Sequence, residues 1–155
     1  MIIFVAAPLK EIFRLKTQFP WPRPEICKRC QSSRVWKHGF VIAFFDGFSK
    51  GILIRRFRCN DCRCVIRMRP AGYFPRFQAP VETIRSSLEH KIHRGFWLDG
   101  VTRNRQQHWF RALKRKAVAF FGNTHHDLMW LFQNLLRKGR IPVSRSFESD
   151  LILGF

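Results

Sequence analysis

The spacing of apolar residues along the chain changes near residue 80. Before it, Val35 to Phe45 and Ile52 to Phe57 are dense in β-branched and aromatic residues, the side chains that suit a pleated, half-buried surface. Asp46-Gly47-Phe48-Ser49-Lys50-Gly51 between them has turn chemistry, so the pair predicts a β-hairpin. Val65 to Arg69 predicts a third short strand, stopped by Pro70-Ala71-Gly72. After it the period becomes helical. Pro80 suits a first helical turn, and Val81, Ile84, Leu88 and Ile92 then recur at three and four residues. Gly95 ends that helix and Asp99-Gly100 marks a turn. Thr102 stands at the N-cap position of a second helix, Arg103 to about Phe121, which puts Trp109, Phe110, Leu113, Ala117, Phe120 and Phe121 on one side. Gly122-Asn123 stops it. A third helix is expected from His126 to Lys138, burying Leu128, Leu131, Phe132, Leu135 and Leu136.

The ends are less regular. Pro20, Pro22 and Pro24 interrupt Phe19 to Pro24, which forbids helix there, and residues 1–24 read as an extended aromatic arm. Residues 71–79 read as a linker anchored by Tyr73, Phe74 and Phe77. Residues 140–155 show no clear period. The pattern predicts an α+β protein, with a small N-terminal β unit followed by a helical, helix-turn-helix-like region. The expected divisions are an arm over 1–24, the β unit over 25–72, helices over 73–122, and a last helix with its tail over 123–155.

The cysteines add chemistry to the β unit. Cys27-Lys28-Arg29-Cys30 and Cys59-Asn60-Asp61-Cys62 are two CxxC pairs separated by 28 residues. A CxxC turn aims two sulfurs at one point, and a hairpin between two such turns brings the pairs together. Four thiolates in a tetrahedron are what a structural Zn²⁺ takes, so Cys27, Cys30, Cys59 and Cys62 are the predicted ligands of one ion in a zinc ribbon. A four-sulfur shell is closed and leaves no position for a reacting water. The alternative of four ordinary thiols leaves a unit of this size with little core to hold it. A redox CxxC would need a thioredoxin-like context that is missing. Cys64 is spare, and His38 on the first strand reads as a contact residue. Gln31 and Arg63 follow the two pairs where zinc knuckles often carry Gly.

Charge then points to a partner. Lys and Arg number 29 against 10 acids, a formal charge of +19. A compact state with that excess repels itself unless a polyanion neutralises it. No segment has the length of a transmembrane helix, and Met1 to Ala7 lacks a basic region before it, so no membrane partner and a cytoplasmic location are expected. Arg55, Arg56, Arg58, Arg63, Arg67, Arg69 and Arg76 crowd the second half of the β unit, with Asp61 the one acid among them. Of these, Arg55, Arg56, Arg58 and Arg67 are candidate nucleic-acid contacts, near the aromatic Phe57. On the second helix, Arg103, Asn104, Gln106 and Gln107 are side-chain types that pair with base edges. Arg111, Lys114, Arg115 and Lys116 follow where phosphates would be met. The predicted partner is nucleic acid, double-stranded DNA before RNA, with no small-molecule substrate. RNA would use exposed aromatics, with Phe44, Phe45, Phe48 and Phe57 as candidates. A third reading is a protein-interaction adaptor that docks through the tail from Phe147 to Phe155.

The run Arg55-Arg56-Phe57-Arg58-Cys59-Asn60-Asp61-Cys62 resembles the second half of zinc ribbons in bacterial insertion-sequence proteins, where a helix-turn-helix follows the ribbon. Pro20 to Glu25, Arg76 to Pro80 and Thr102 to Trp109 are also similar to small bacterial proteins of the same layout. The resemblance implies DNA binding in a transposition or regulatory setting. Transposases of that kind carry three spaced carboxylates for Mg²⁺ on a sheet. After Cys62 this chain has only Glu82, Glu89, Asp99, Asp127, Glu148 and Asp150, in a region that reads as helices, so catalytic activity is not expected. There is no Gly-rich phosphate loop, and His90, His93, His125 and His126 lack a catalytic pattern.

Overall fold

The computed structural model describes residues 1–123 and 125–147. They form two compact units that meet at the Ala79–Pro80 bond.

The first unit is built on a four-stranded sheet. Its strands are β1 (Ile2–Val5), β2 (Val35–Ala43), β3 (Ile52–Cys59) and β4 (Val65–Pro70), in the order β1-β4-β3-β2. The predicted hairpin and third strand form as antiparallel neighbours. The first residues depart from the extended arm expected of them. Ile2-Ile3-Phe4-Val5, a β-branched and aromatic run, adds a parallel edge strand to β4, and helix α1 (Leu9–Leu15) follows. Ile12 of α1 is fully buried in the core with Ile52, Ile54, Phe57, Ile66 and Met68. Phe19 and Trp21 pack edge to face at 5.0 Å against the same core, so the proline run lies on the sheet unit.

The strands do not bury one face along their whole length. Phe57 and Cys59 are buried at one end of β3, and Ile52 and Ile54 at the other, on the opposite parity. A bulge in β2 between Lys37 and Phe40 marks the change, and Gly39 takes a φ of 73° within it. The linker expected over 71–79 also belongs to this unit. The Arg69 guanidinium is buried and donates to the carbonyls of Tyr73 and Phe77, and the Asp46 N–H donates to the Gln78 carbonyl. Burial first, and then Arg67, pull the Arg69 pKa down to about 10, so it stays charged at neutral pH.

The second unit packs three helices, α2 (Val81–Arg94), α3 (Arg103–Phe121) and α4 (Leu128–Arg137). Their apolar stripes meet as the periodicity predicts, with Ile84, Leu88, Trp109, Leu113, Ala117, Leu131, Phe132 and Leu135 buried. Each fully buried Leu or Phe contributes about 1.5–3 kcal/mol. Gly95 ends α2 as expected, and does so in the left-handed conformation. Thr102 is the N-cap of α3, though its side chain makes no capping bond. Helix α4 starts two residues later than expected, because the Asp127 carboxylate accepts from the Met129 and Trp130 N–H groups. Ile141, Pro142 and Val143 are buried after it, which the absence of period did not foretell. Among the described residues, no helix is long and apolar enough to cross a membrane.

Candidate metal centre and nucleic-acid interface

The four predicted cysteines converge. Their sulfurs all lie within 4.8 Å of one another and form a site that can hold a metal ion. Cys27 and Cys62 stand 3.6 Å apart, and Cys30 and Cys59 3.5 Å. A disulfide requires about 2.05 Å, so these are not bonded pairs. Four sulfurs about 2.3 Å from a central ion would be separated by about 3.8 Å, which these spacings nearly match. The donor set therefore fits a tetrahedral four-sulfur shell. Cys27 and Cys59 are buried, and Cys30 is exposed.

Each CxxC turn is built the same way. Cys27 N–H donates to the Ser32 carbonyl at 2.8 Å, and Cys59 N–H donates to the Cys64 carbonyl at 3.0 Å. Within the first turn, backbone N–H groups of Arg29 and then Cys30 lower the Cys27 pKa. In the second, those of Cys62 and then Asp61 pull Cys59 down to about 6 against the effect of burial. The Cys64 N–H favours the Cys62 thiolate, but burial and hydrogen bonds shared with Cys30, Cys27 and Cys59 outweigh it and push Cys62 up to about 12. Four thiols this close cannot all lose their protons unless a cation replaces them. Gln31 and Arg63, at the positions where zinc knuckles often carry Gly, take φ values of 61° and 59°. The turns thus need the left-handed region and hold it with side chains that disfavour it.

Asp61 joins the two turns, a role the sequence reading missed. Its carboxylate accepts from the Ser32 hydroxyl and pairs with Arg34 at 3.1 Å, while Asn60 N–H donates to the Arg34 carbonyl at 2.8 Å. The signal available beforehand was its isolation as the one acid among the arginines. Cys64 lies outside the sulfur cluster, with its thiol toward the Val65 carbonyl at 3.8 Å, and His38 is not part of it either.

The register sorts the arginines of the first unit. Arg58 lies opposite both Trp36 and Val65, and Arg56 lies opposite Arg67. Residues directly opposite share a face, and so do residues two apart, so Trp36, Arg56, Arg58 and Arg67 stand on one side of the sheet. Trp36 is 54% exposed, and the Arg23 guanidinium sits over its ring at 4.7 Å. The Nε donors of Arg56 and Arg58 are buried and have no acceptor. Arg55 is on the other parity, over the Phe40 ring at 4.3 Å. Phe57 is turned away from Arg56 and Arg58 into the core, and Phe45 is buried too, so neither can stack on a base. Phe44 is exposed and Phe48 partly buried.

The second unit corrects part of the helix reading. Arg103, Asn104, Arg111, Lys114 and Arg115 are exposed on α3, and Gln107 is half-buried. Gln106 is not at the surface: it is 1% exposed. Its amide nitrogen donates to the Leu98 and Val101 carbonyls at 2.8 Å, and its oxygen accepts from Leu98 N–H at 3.0 Å and Ser87 Oγ at 2.6 Å. All its polar atoms are used to clamp the turn between α2 and α3, so it reads no base. Lys116 is likewise internal, donating to the Ile141 carbonyl and to Ser144 Oγ. Arg69, which was not among the candidate contacts, is internal too, donating to the Tyr73 and Phe77 carbonyls. Periodicity places Gln106 and Lys116 beside apolar positions, but it cannot tell an internal clamp from a surface contact.

No family model matches this chain, and neither a curated protein nor a solved structure matches it.

Proposed function

We propose that this is a zinc-stabilised, non-catalytic nucleic-acid-binding protein that receives its ligand on the sheet face of the first unit. The carrying observation is the row of Trp36, Arg58, Arg56 and Arg67 on one side of a sheet with four cysteines gathered at one end. Zinc is the ion this donor set suits: four thiolates at tetrahedral spacing, with no oxygen ligand among them. The ion's part is to hold the turns, since the shell is closed. The chain supplies the recognition chemistry. Guanidinium groups match phosphate oxygens in pairs, and exposed Arg67 shares its face with half-buried Arg56 and Arg58. An exposed indole between arginines offers a base a surface to stack on, which favours unpaired strands of RNA or DNA.

A second reading, duplex DNA on α3, is favoured by the Gln106 clamp. It fixes the α2–α3 turn and leaves Arg103, Asn104, Gln107 and Arg111 on the surface of the following helix. A setting in transposition or its control, as in the insertion-sequence proteins, goes with that reading.

Titrating single-stranded and duplex oligonucleotides at several salt concentrations tests both. Trp36→Ala should weaken single-strand binding about tenfold, within the ~1–3 kcal/mol of one stacked base. Arg56→Ala should lower the salt slope by about one. Unchanged single-strand affinity in both variants, with loss in Arg103→Ala, moves the interface to α3. No salt-dependent binding of either polymer removes both readings.

A further inference from the structure

A second cluster of arginines lies within the helical unit and is organised differently from the sheet row. A cleft of about 610 Å³ is lined by Asn104, His108, Arg111, Ala112, Arg115 and Arg145. Asn104, His108, Arg111 and Arg115 recur at four, three and four residues, so they line one face of α3. Arg145 comes from the segment after α4, and that segment is held in place. Buried Lys116 donates from α3 to the Ile141 carbonyl and Ser144 Oγ, and Ile141 and Val143 are buried. Arg115 donates to the Arg145 carbonyl at 3.4 Å and lies over the Phe147 ring at 5.3 Å.

Three guanidinium groups therefore face a common space, and among the described residues no carboxylate lines it. Their field is felt by His108: burial first, then Arg145, Arg111 and Arg115, lower its pKa below the usual histidine value. Convergent like charges are unfavourable unless something anionic sits among them. The lining offers forked cationic donors, an amide N–H₂ and an imidazole N–H, all able to donate to oxygen. The volume is within the ordinary range for small-ligand clefts.

We propose that this cleft is a binding site for a multiply charged phosphate group, a terminal phosphate monoester or a polyphosphate. Arg111, Arg115 and Arg145 hold the anion there, and Asn104 and His108 complete its hydrogen bonding. This goes beyond the proposed function, whose first reading sets contacts on the sheet of the other unit and whose second, on α3, shares only Asn104 and Arg111 with the cleft.

The test uses the full chain at low salt with inorganic pyrophosphate as the probe, read by calorimetry and by the His108 Cε1–H proton resonance. Bound anion should raise the His108 pKa, because it offsets the three guanidinium charges. Arg145→Ala should weaken pyrophosphate binding at least about tenfold, the scale of one charged hydrogen bond. It leaves the Arg145 carbonyl that positions Arg115 in place, and Arg145→Lys should recover part of the loss. Two further arms locate the source of the phosphate: a nucleoside triphosphate, and one oligonucleotide with and without a terminal phosphate. A gain on phosphorylation that disappears in Arg145→Ala assigns the cleft to a strand end; triphosphate binding without that gain assigns it to a free nucleotide. Both uphold the site. A His108 resonance unmoved by about 10 mM pyrophosphate, a concentration that would half-fill even a very weak site, overturns it. So does binding that is equal in wild type, Arg111→Ala and Arg145→Ala. Trp36→Ala should leave pyrophosphate affinity unchanged, so failure of the sheet interface and failure of this cleft give different results.

Discussion

Residues 1–79 hang four strands and a short helix on four converging sulfurs, whereas residues 80–147 pack three helices through apolar stripes and fix their joints with buried polar side chains. In the first unit four cysteine sulfurs converge on a site that can hold a metal ion. In the second, Gln106 and Lys116 are satisfied from within the chain. Strain follows the same division. The cysteine turns hold Gln31 and Arg63 in left-handed backbone, while the helices end at Gly95, Gly122 and Gly139, which adopt positive φ freely. A bound metal would let these turns keep an unfavourable residue, because ligand bonds would over-determine their shape.

Removal of the proposed metal should sharpen this contrast most. Cys59→Ser, or a strong chelator, should unfold the sheet unit, since structural zinc in small domains is worth about 10–16 kcal/mol of apparent binding. Helical circular dichroism should largely survive while the ordered signals of Trp21 and Trp36 disappear. A sheet that persists with no metal by elemental analysis would show that the units do not differ in this way.

The complementary change is in the helices. Gln106→Leu fills the space but leaves the Leu98 and Val101 carbonyls, the Leu98 N–H and the Ser87 hydroxyl without their partner. A loss of at least about 3 kcal/mol is expected in urea unfolding followed at helical wavelengths, with metal content unchanged. Gln107→Leu, one residue along, should stay within about 0.5 kcal/mol of wild type. Equal effects at the two positions would refute the clamp.

The smallest effect has the opposite sign. Gln31→Gly and Arg63→Gly should each stabilise the sheet unit by about 1 kcal/mol, because glycine takes positive φ without the penalty other residues carry. The gain should appear in the midpoint of metal-dependent unfolding. A loss at both positions would mean that the side chains contribute more than their backbone conformation costs.

Most elements were legible because their signals are local. The hairpin followed from β-branched runs around Asp46 to Gly51, and the helices from spacings such as Val81, Ile84 and Leu88. The cysteine cluster was legible too, since the two CxxC pairs specify their own turns and a hairpin between them brings the turns together. Strand β1 was not. Ile2 to Val5 is short, and its partner β4 lies more than sixty residues along the chain, so no local pattern announces the pairing. The bulge at Gly39 was also hidden, and so were the cross-strand partners: alternation puts Arg58 on the face away from Phe57, and the register sets it opposite Trp36.

Residue type and spacing were enough to establish the α+β order, the helix stops and the sulfur set, because each depends on neighbours a few positions away. Which polar side chains face solvent was settled by packing. Gln106, Lys116 and Arg69 carry the same chemistry as the residues around them, and only contacts between distant segments turned them inward, where a buried donor or acceptor must find a partner in the chain.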